Sequence, residues 1–70
     1  MAIIKVIELM GSSTQSWEDA AQQVINHASK TLRNIRSIYI KEQSAEVENN
    51  KITEFRVTSK VSFVLDDRPS

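Results

Sequence analysis

The sequence predicts a small α+β domain in the order β-α-β-β, with a three-stranded antiparallel sheet partly wrapped around one helix. Three observations indicate this fold. Apolar and polar residues alternate over residues 52–65, apolar residues recur every three or four positions after Ser16, and Asn49-Asn50 separates two alternating segments. A chain of 70 residues has room for one core only. We therefore expect a single domain over residues 1–66 and a loose C-terminal tail over residues 67–70.

The first element is predicted to be a strand over residues 2–10. This segment, AIIKVIELM, is rich in isoleucine and valine, and only Lys5 and Glu8 interrupt it with charge. Its apolar residues fall on both faces of a strand. We therefore expect it either at the centre of the sheet or at a boundary between subunits.

The second element is predicted to be a helix that begins after Ser16. The Ser16 side chain is positioned to cap the backbone N–H of Asp19, and the acidic first turn suits the helix dipole. We expect Trp17 to act as a packing anchor or a subunit contact, and His27 to have a surface or packing role. The predicted apolar stripe consists of Ala20, Ala21, Val24, Ile25, Ala28, Leu32 and Ile35.

The third and fourth elements are predicted to be a hairpin of two strands. The third, over residues 36–47, has Ile38 and Ile40 on one face. Its other face is expected to carry Ser37, Tyr39, Lys41 and Gln43. Asn49-Asn50 suits a two-residue turn because asparagine tolerates positive φ.

The fourth element, over residues 52–65, has two contrasting faces. The apolar face is expected to consist of Thr53, Phe55, Val57, Ser59, Val61, Phe63 and Leu65. The polar face is expected to consist of Glu54, Arg56, Thr58, Lys60 and Ser62. Strands commonly run about 5–6 residues, so one helix cannot cover a sheet of this length. Part of the sheet is therefore expected to meet other subunits or a ligand.

Composition excludes several classes of function. Nine basic and nine acidic residues are mixed along the chain, which argues against nucleic-acid binding. No apolar run approaches the roughly 20 residues that span a bilayer, and no leader opens the chain, so we expect a cytoplasmic protein without membrane contact. The absence of cysteine excludes disulfides and thiolate sites, and a single histidine excludes a multi-histidine zinc site within one chain. Self-association is the remaining means of stabilising so small a fold.

Five segments together resemble the dodecin family: KVIELMGSS, SWEDAA, ASKTLRNIRS, IKEQSAEVENNKITEFRV and KVSFVLD. The resemblance covers Lys5 to Asp66 without a gap. It implies a dodecin-like fold in which twelve copies form a hollow homododecamer. It also implies a flavoprotein that holds riboflavin or flavin mononucleotide (FMN) between subunits at three-fold contacts, for storage or sequestration rather than turnover.

The resemblance also implies where flavin binds. In that family a tryptophan of the second strand stacks on the isoalloxazine ring, and a glutamine of the third strand bonds its polar edge. These positions fall on Ser37 and Arg56, so neither residue matches. Tyr39 is able to supply part of the stacking, and Arg56 is able to bond a carbonyl or a phosphate. The expected flavin site therefore consists of Ser37, Tyr39, Gln43 and Arg56.

Other interpretations stay open at this point. Tyr39 also suits a half-buried place at an interface, and Arg56 suits an ion pair with Glu54 or Glu42. A flavin-free dodecin is the alternative function, in which Glu18, Asp19 or Glu46 bind calcium at subunit junctions. An enzyme is not expected, because no nucleophile, base and orienting partner occur at plausible spacing.

Overall fold

The sheet is built around the last strand of the chain. A computed structural model describes residues 3–66. It contains β1 (Ile3–Ser13), α1 (Trp17–Ala28), β2 (Ile35–Glu48) and β3 (Lys51–Asp66). The three strands form one antiparallel sheet in the order β1-β3-β2. The predicted β-α-β-β fold is confirmed, whereas the predicted tail at 67–70 lies outside the described residues.

The order of strands corrects one expectation. β1 was predicted to be central in the sheet or at a subunit boundary because its apolar residues fall on both faces. It is an edge strand, and β3 is central because it pairs with both neighbours. Of the two expectations for β1, only the subunit boundary remains.

The core lies between α1 and the middle of the sheet. Ala20 and Val24 of α1 pack over Val57 and Val61 of β3, and all four are almost completely buried. The buried Ser59 lies between these valines, and its hydroxyl donates to the carbonyl of Leu9 at 3.0 Å. The small side chain of Ala20 lets the helix approach the sheet closely.

The helix is much shorter than the sheet that it covers. At about 1.5 Å per residue, the 12 residues of α1 extend about 18 Å. β3 has 16 residues, and the protomer measures 56 × 20 × 13 Å. Both ends of the sheet therefore extend beyond the helix.

The helix begins where the sequence predicts. Ser16 is the N-cap, and its hydroxyl accepts from the backbone N–H of Asp19 at 2.9 Å. The Asp19 carboxylate in turn accepts from the hydroxyl of Ser13 at 2.6 Å. The end of β1 and the start of α1 are thus joined by side-chain hydrogen bonds.

The helix ends earlier than the apolar stripe predicts. α1 ends at Ala28, so Leu32 and Ile35 are not part of it. Backbone bonds from residues 30 and 31 reach back three positions, which tightens the last turn, and Asn34 then adopts a φ of 61°. This left-handed residue reverses the chain, and Ile35 opens β2 opposite Phe63 instead.

The turn between β2 and β3 agrees with the sequence. Asn49 and Asn50 have φ values of 51° and 64°, and Glu48 pairs directly with Lys51. Positive φ at both positions is the conformation that a two-residue hairpin turn of type I′ requires. The predicted Asn-Asn turn is confirmed.

The end of β3 departs from simple alternation. Leu65 was predicted on the apolar face but is 59% exposed, whereas Val64 is buried. The ladder between β1 and β3 is irregular here, since Ile4 pairs with Val64 and Ile3 with Asp66. Leu65 therefore has no partner on β1, and the alternation is interrupted after Val64.

Gly11 allows the close packing of α1 on β1. A Cβ at this position would collide with a methyl group of Val24 and lie 3.0 Å from the carbonyl oxygen of Ala20. Because the second contact is with helix backbone, a side chain at Gly11 can be accommodated only by moving the helix.

Replacing Gly11 by alanine is therefore expected to lower the free energy of unfolding by about 1–3 kcal/mol, the usual range for an overpacked core. Urea denaturation at fixed protein concentration, followed by the fluorescence of the single tryptophan, measures the change. Ser12→Ala, on the opposite face of the same strand, is the control and is expected to stay within about 0.5 kcal/mol of the native protein. Equal stability of the two variants would refute this account of the helix contact.

Candidate functional site

The candidate site lies on the face of the sheet turned away from α1, which we call the outer face. Residues opposite each other in an antiparallel pair project to the same side of a sheet. The register therefore assigns side chains to this face from the even-numbered residues 54–62 of β3. From the edge strands it adds Val6, Glu8, Met10 and Ser12 of β1 and Ser37, Tyr39, Glu42, Ser44 and Glu46 of β2. The salt bridge to Glu8 places Lys41 on this face as well.

A bulge in β2 places one predicted site residue on the wrong face. Ile40 pairs with Ser59 and Glu42 with Thr58, so Lys41 is an extra residue without a partner. After it the alternation is inverted, and Gln43 pairs with Val57, which is buried against α1. The expectation that Gln43 shares a face with Ser37 and Tyr39 is therefore wrong.

Ser37 and Tyr39 lie together near one end of the outer face. The Ser37 hydroxyl is hydrogen bonded to that of its cross-strand partner Ser62 at 2.5 Å. Tyr39 is opposite Lys60 and is 65% exposed. An exposed aromatic ring beside two small hydroxyl residues offers a flat surface for a ring-shaped ligand or for a neighbouring subunit.

Charged groups surround Tyr39. Lys60 lies between Tyr39 on β2 and Glu8 on β1. The Glu8 carboxylate is bonded to the ammonium of Lys41 at 3.3 Å, and both side chains are about half exposed. Glu42 lies one cross-strand pair further along the same face, opposite Thr58, so two glutamates balance the two lysines. Neither Lys60 nor Glu42 forms a salt bridge among the described residues.

Arg56 lies near the other end of the outer face and is held by two glutamates. Its Nε donates to Glu54 at 2.9 Å, and its guanidinium is 3.5 Å from the carboxylate of Glu46. The hydrogen bond to Glu54 and the charge of Glu46 raise the pKa of Arg56 above its ordinary value. The predicted ion pair with Glu54 is confirmed, but the second partner is Glu46 rather than Glu42, which lies opposite Thr58.

One protomer does not bring the predicted flavin residues together. Ser37 lies opposite Ser62, six residues along β3 from Arg56, which is about 20 Å at about 3.3 Å per residue. Tyr39 lies opposite Lys60, four residues or about 13 Å from Arg56. A single small ligand touches both ends only if they come from different copies of the chain.

The predicted calcium ligands are likewise separated. Asp19 belongs to the cap of α1 and accepts from Ser13, and its neighbour Glu18 is exposed. Glu46 lies on the outer face beside Arg56. Over residues 3–66, no three histidine, aspartate or glutamate side chains form a group that could hold a metal ion.

Trp17 has the packing role that the sequence predicts. Its ring meets that of Phe55 edge to face, with centroids 4.8 Å apart. Its indole N–H donates to the carbonyl of Ser44 at 2.8 Å. The start of α1 is thereby fixed to β2 and β3 close to Arg56.

His27 of α1 is exposed, which agrees with the predicted surface or packing role. It lines a groove of about 280 Å³ between α1 and β1, together with Gln23 and Met10. The groove is open to solvent along the edge of the sheet.

Among the described residues, no helix has the length and apolar character needed to cross a membrane.

Large apolar side chains remain exposed along the sheet. More than half of the side chain is accessible in Ile3, Ile4, Val6, Met10, Tyr39, Val47, Ile52 and Leu65. Val47 and Ile52 are cross-strand partners near the hairpin turn, beyond the last residue of β1. So many exposed apolar groups on a small chain are typical of surfaces that other subunits cover.

Sequence reasoning missed Lys60 and Ser62 as members of the site. Both were expected on the polar face of β3. Their proximity to Tyr39 and Ser37 depends on the register between β2 and β3, which the pattern within one strand does not determine. The turn at Asn49-Asn50 fixes the start of that register, but the bulge at Lys41 changes it further along.

Comparisons of the sequence with protein families and with known proteins all identify dodecins as similar. A model of the dodecin family matches residues 3–66. A calcium dodecin of Mycobacterium tuberculosis is 36% identical over 66 residues, which is 93% of this chain and 92% of that protein. A dodecin of Thermus thermophilus is 31% identical over 65 residues, which is 93% of this chain and 94% of that protein.

Solved structures of dodecins superpose closely on this chain. A dodecin from Streptomyces davaonensis superposes with a TM-score of 0.88 at 30% identity, covering 94% of this chain and 97% of that one. The structure of the calcium-chelating M. tuberculosis calcium dodecin superposes with a TM-score of 0.79 at 33% identity, covering 97% and 99%. The similarity therefore extends over almost the whole length of each chain.

Proposed function

Because the chain belongs to the dodecin family, we propose that it is a non-enzymatic protein that assembles into a hollow homododecamer in the cytoplasm. In this proposal the assembly stores or sequesters a flavin, riboflavin or FMN. The observation that carries the choice of ligand is Tyr39. It is 65% exposed on the outer face and lies two residues from Ser37 on the same strand.

Assembly is supported by the surfaces that one protomer leaves uncovered. Exposed apolar residues occur at both ends of the sheet, as at Ile4 and at the Val47–Ile52 pair. These positions lie beyond the reach of α1, and another copy of the chain would bury them. Removing such groups from water stabilises association by about 25 cal/mol per Å² of apolar surface.

The proposed flavin site is shared between copies. Ser37 and Tyr39 of one protomer provide the ring contact. Arg56 is about 20 Å from Ser37 along the sheet and is therefore assigned to the site of a neighbouring copy. Gln43 is not included, because it lies on the opposite face.

The ring contact is weaker than one with tryptophan would be. Tyrosine offers a smaller aromatic surface, while Ser37 offers none. An aromatic pair adds about 0.5–1.5 kcal/mol beyond the area that it buries. We therefore expect modest flavin affinity that rises when the aromatic surface is enlarged.

Flavin binding is measured by the quenching of riboflavin or FMN fluorescence on titration with the purified assembly. Quenching at micromolar protein is expected for the native chain. Tyr39→Ala is expected to weaken binding about tenfold, because the ring is lost, and Ser37→Trp is expected to strengthen it. Tyr39→Phe, which keeps the ring, is the control and should bind like the native protein. Flavin fluorescence unchanged by the native protein at every concentration would exclude this function.

Calcium binding is the second candidate, and the relationship to a calcium dodecin at 36% identity favours it. In this alternative, Glu18 and Asp19 of one protomer meet Glu46 of another at a subunit junction. Carboxylate oxygens are ligands that calcium prefers. The separation of these residues within one protomer requires that the site forms only on assembly.

Calcium is expected to raise the melting temperature of the assembly above its value in chelator if this alternative holds, because a ligand bound only to the assembled state stabilises it. Glu18→Gln and Glu46→Gln should each reduce the shift. Glu48→Gln, an exposed glutamate near the hairpin turn, is the matched control. A melting temperature that is identical in calcium and chelator would contradict calcium binding.

A further inference from the structure

The charges on the outer face differ between its two ends, and this difference bears on the ligand. Near Arg56 the guanidinium is bonded to Glu54 and also lies within 3.5 Å of Glu46. One positive charge is therefore set against two negative ones. An anionic group approaching Arg56 meets both carboxylates, so this end of the face disfavours phosphate.

The end near Tyr39 has no such excess of negative charge, because Lys41 and Lys60 are matched by Glu8 and Glu42. Lys41 is bonded to Glu8, and no salt bridge joins Lys60 to any group among the described residues. Lys60 is exposed, and it is the direct cross-strand partner of Tyr39. An ammonium group with available donors thus lies beside the aromatic ring.

We propose that Lys60 is a further binding residue, whose ammonium bonds an anionic group on a ligand stacked at Tyr39, so that the site prefers FMN to riboflavin. The inference rests on the proposed flavin function and assigns its phosphate contact to Lys60 instead of Arg56. A phosphate monoester carries about −1.5 to −2 charge at pH 7, and ammonium donors bind it as a point charge.

The exposure of Lys60 limits how strongly the site can prefer FMN to riboflavin. Lys60 lies on an accessible face, where water and salt screen its charge. A charged hydrogen bond in such a place contributes less than a buried one, and a preference of about three- to tenfold for FMN is expected at low salt. The preference should shrink as the salt concentration rises.

The test compares the dissociation constants of FMN and riboflavin by fluorescence titration of the assembled protein. Lys60→Met is expected to bring the FMN-to-riboflavin affinity ratio close to one while riboflavin binding persists. Lys60→Arg keeps the charge and should retain the preference. Lys30→Met, on the last turn after α1 and remote from the outer face, removes the same charge and should leave the ratio unchanged.

A second variant tests the balance of charge. Glu8→Gln removes the carboxylate that is paired with Lys41, so this negative charge no longer lies near Lys41 and Lys60. The FMN-to-riboflavin ratio should therefore increase. Light scattering on each variant checks that the state of assembly is the same as in the native protein.

The outcomes separate the two proposals. Native protein that binds both flavins equally, or a Lys60→Met variant whose ratio is unchanged, overturns the role of Lys60 and leaves the flavin function standing. Native protein that binds neither flavin overturns both. A preference for FMN that Lys60→Met abolishes and Lys60→Arg keeps supports the inference.

Discussion

The contact between α1 and the middle of β3 holds the protomer together and determines which parts of the sheet stay exposed. Ala20 and Val24 of the helix bury Val57 and Val61, and Gly11 lets the helix come close enough to do so. Because α1 has 12 residues and β3 has 16, this contact cannot extend to the ends of the sheet. The exposed apolar residues at those ends follow from that mismatch, whereas the outer face is uncovered because α1 packs against the other face of the sheet.

Much of the fold could be predicted because its signals are local. Alternation in β3, the cap at Ser16 and the Asn49-Asn50 turn each depend on a few adjacent residues. The errors occur where local pattern does not decide the outcome. Gln43 was assigned to the wrong face because the bulge at Lys41 shifts the alternation of β2, and Leu65 because it has no partner on β1. Such extra residues carry no distinct sequence signature.

The candidate site was predictable only in part, since it depends on the pairing of strands that are distant in sequence. Ser37 and Tyr39 were expected on one face and lie on it. The glutamates around Arg56 and the position of Lys60 beside Tyr39 became visible only with the register of the whole sheet. These positions change which residue is expected to bind an anionic group. Arg56 is already paired with two glutamates, whereas Lys60 forms no salt bridge among the described residues.

Other copies of the chain are proposed to cover the sheet that α1 leaves exposed. Small-angle X-ray scattering of the purified protein, with the mass determined by light scattering, measures whether they do. A hollow assembly of twelve copies is expected to have about twelve times the 8.0 kDa mass of the chain and a deep minimum in its scattering curve. A stable particle of 8.0 kDa, with a radius of gyration close to the 14.5 Å of the single protomer, would contradict it.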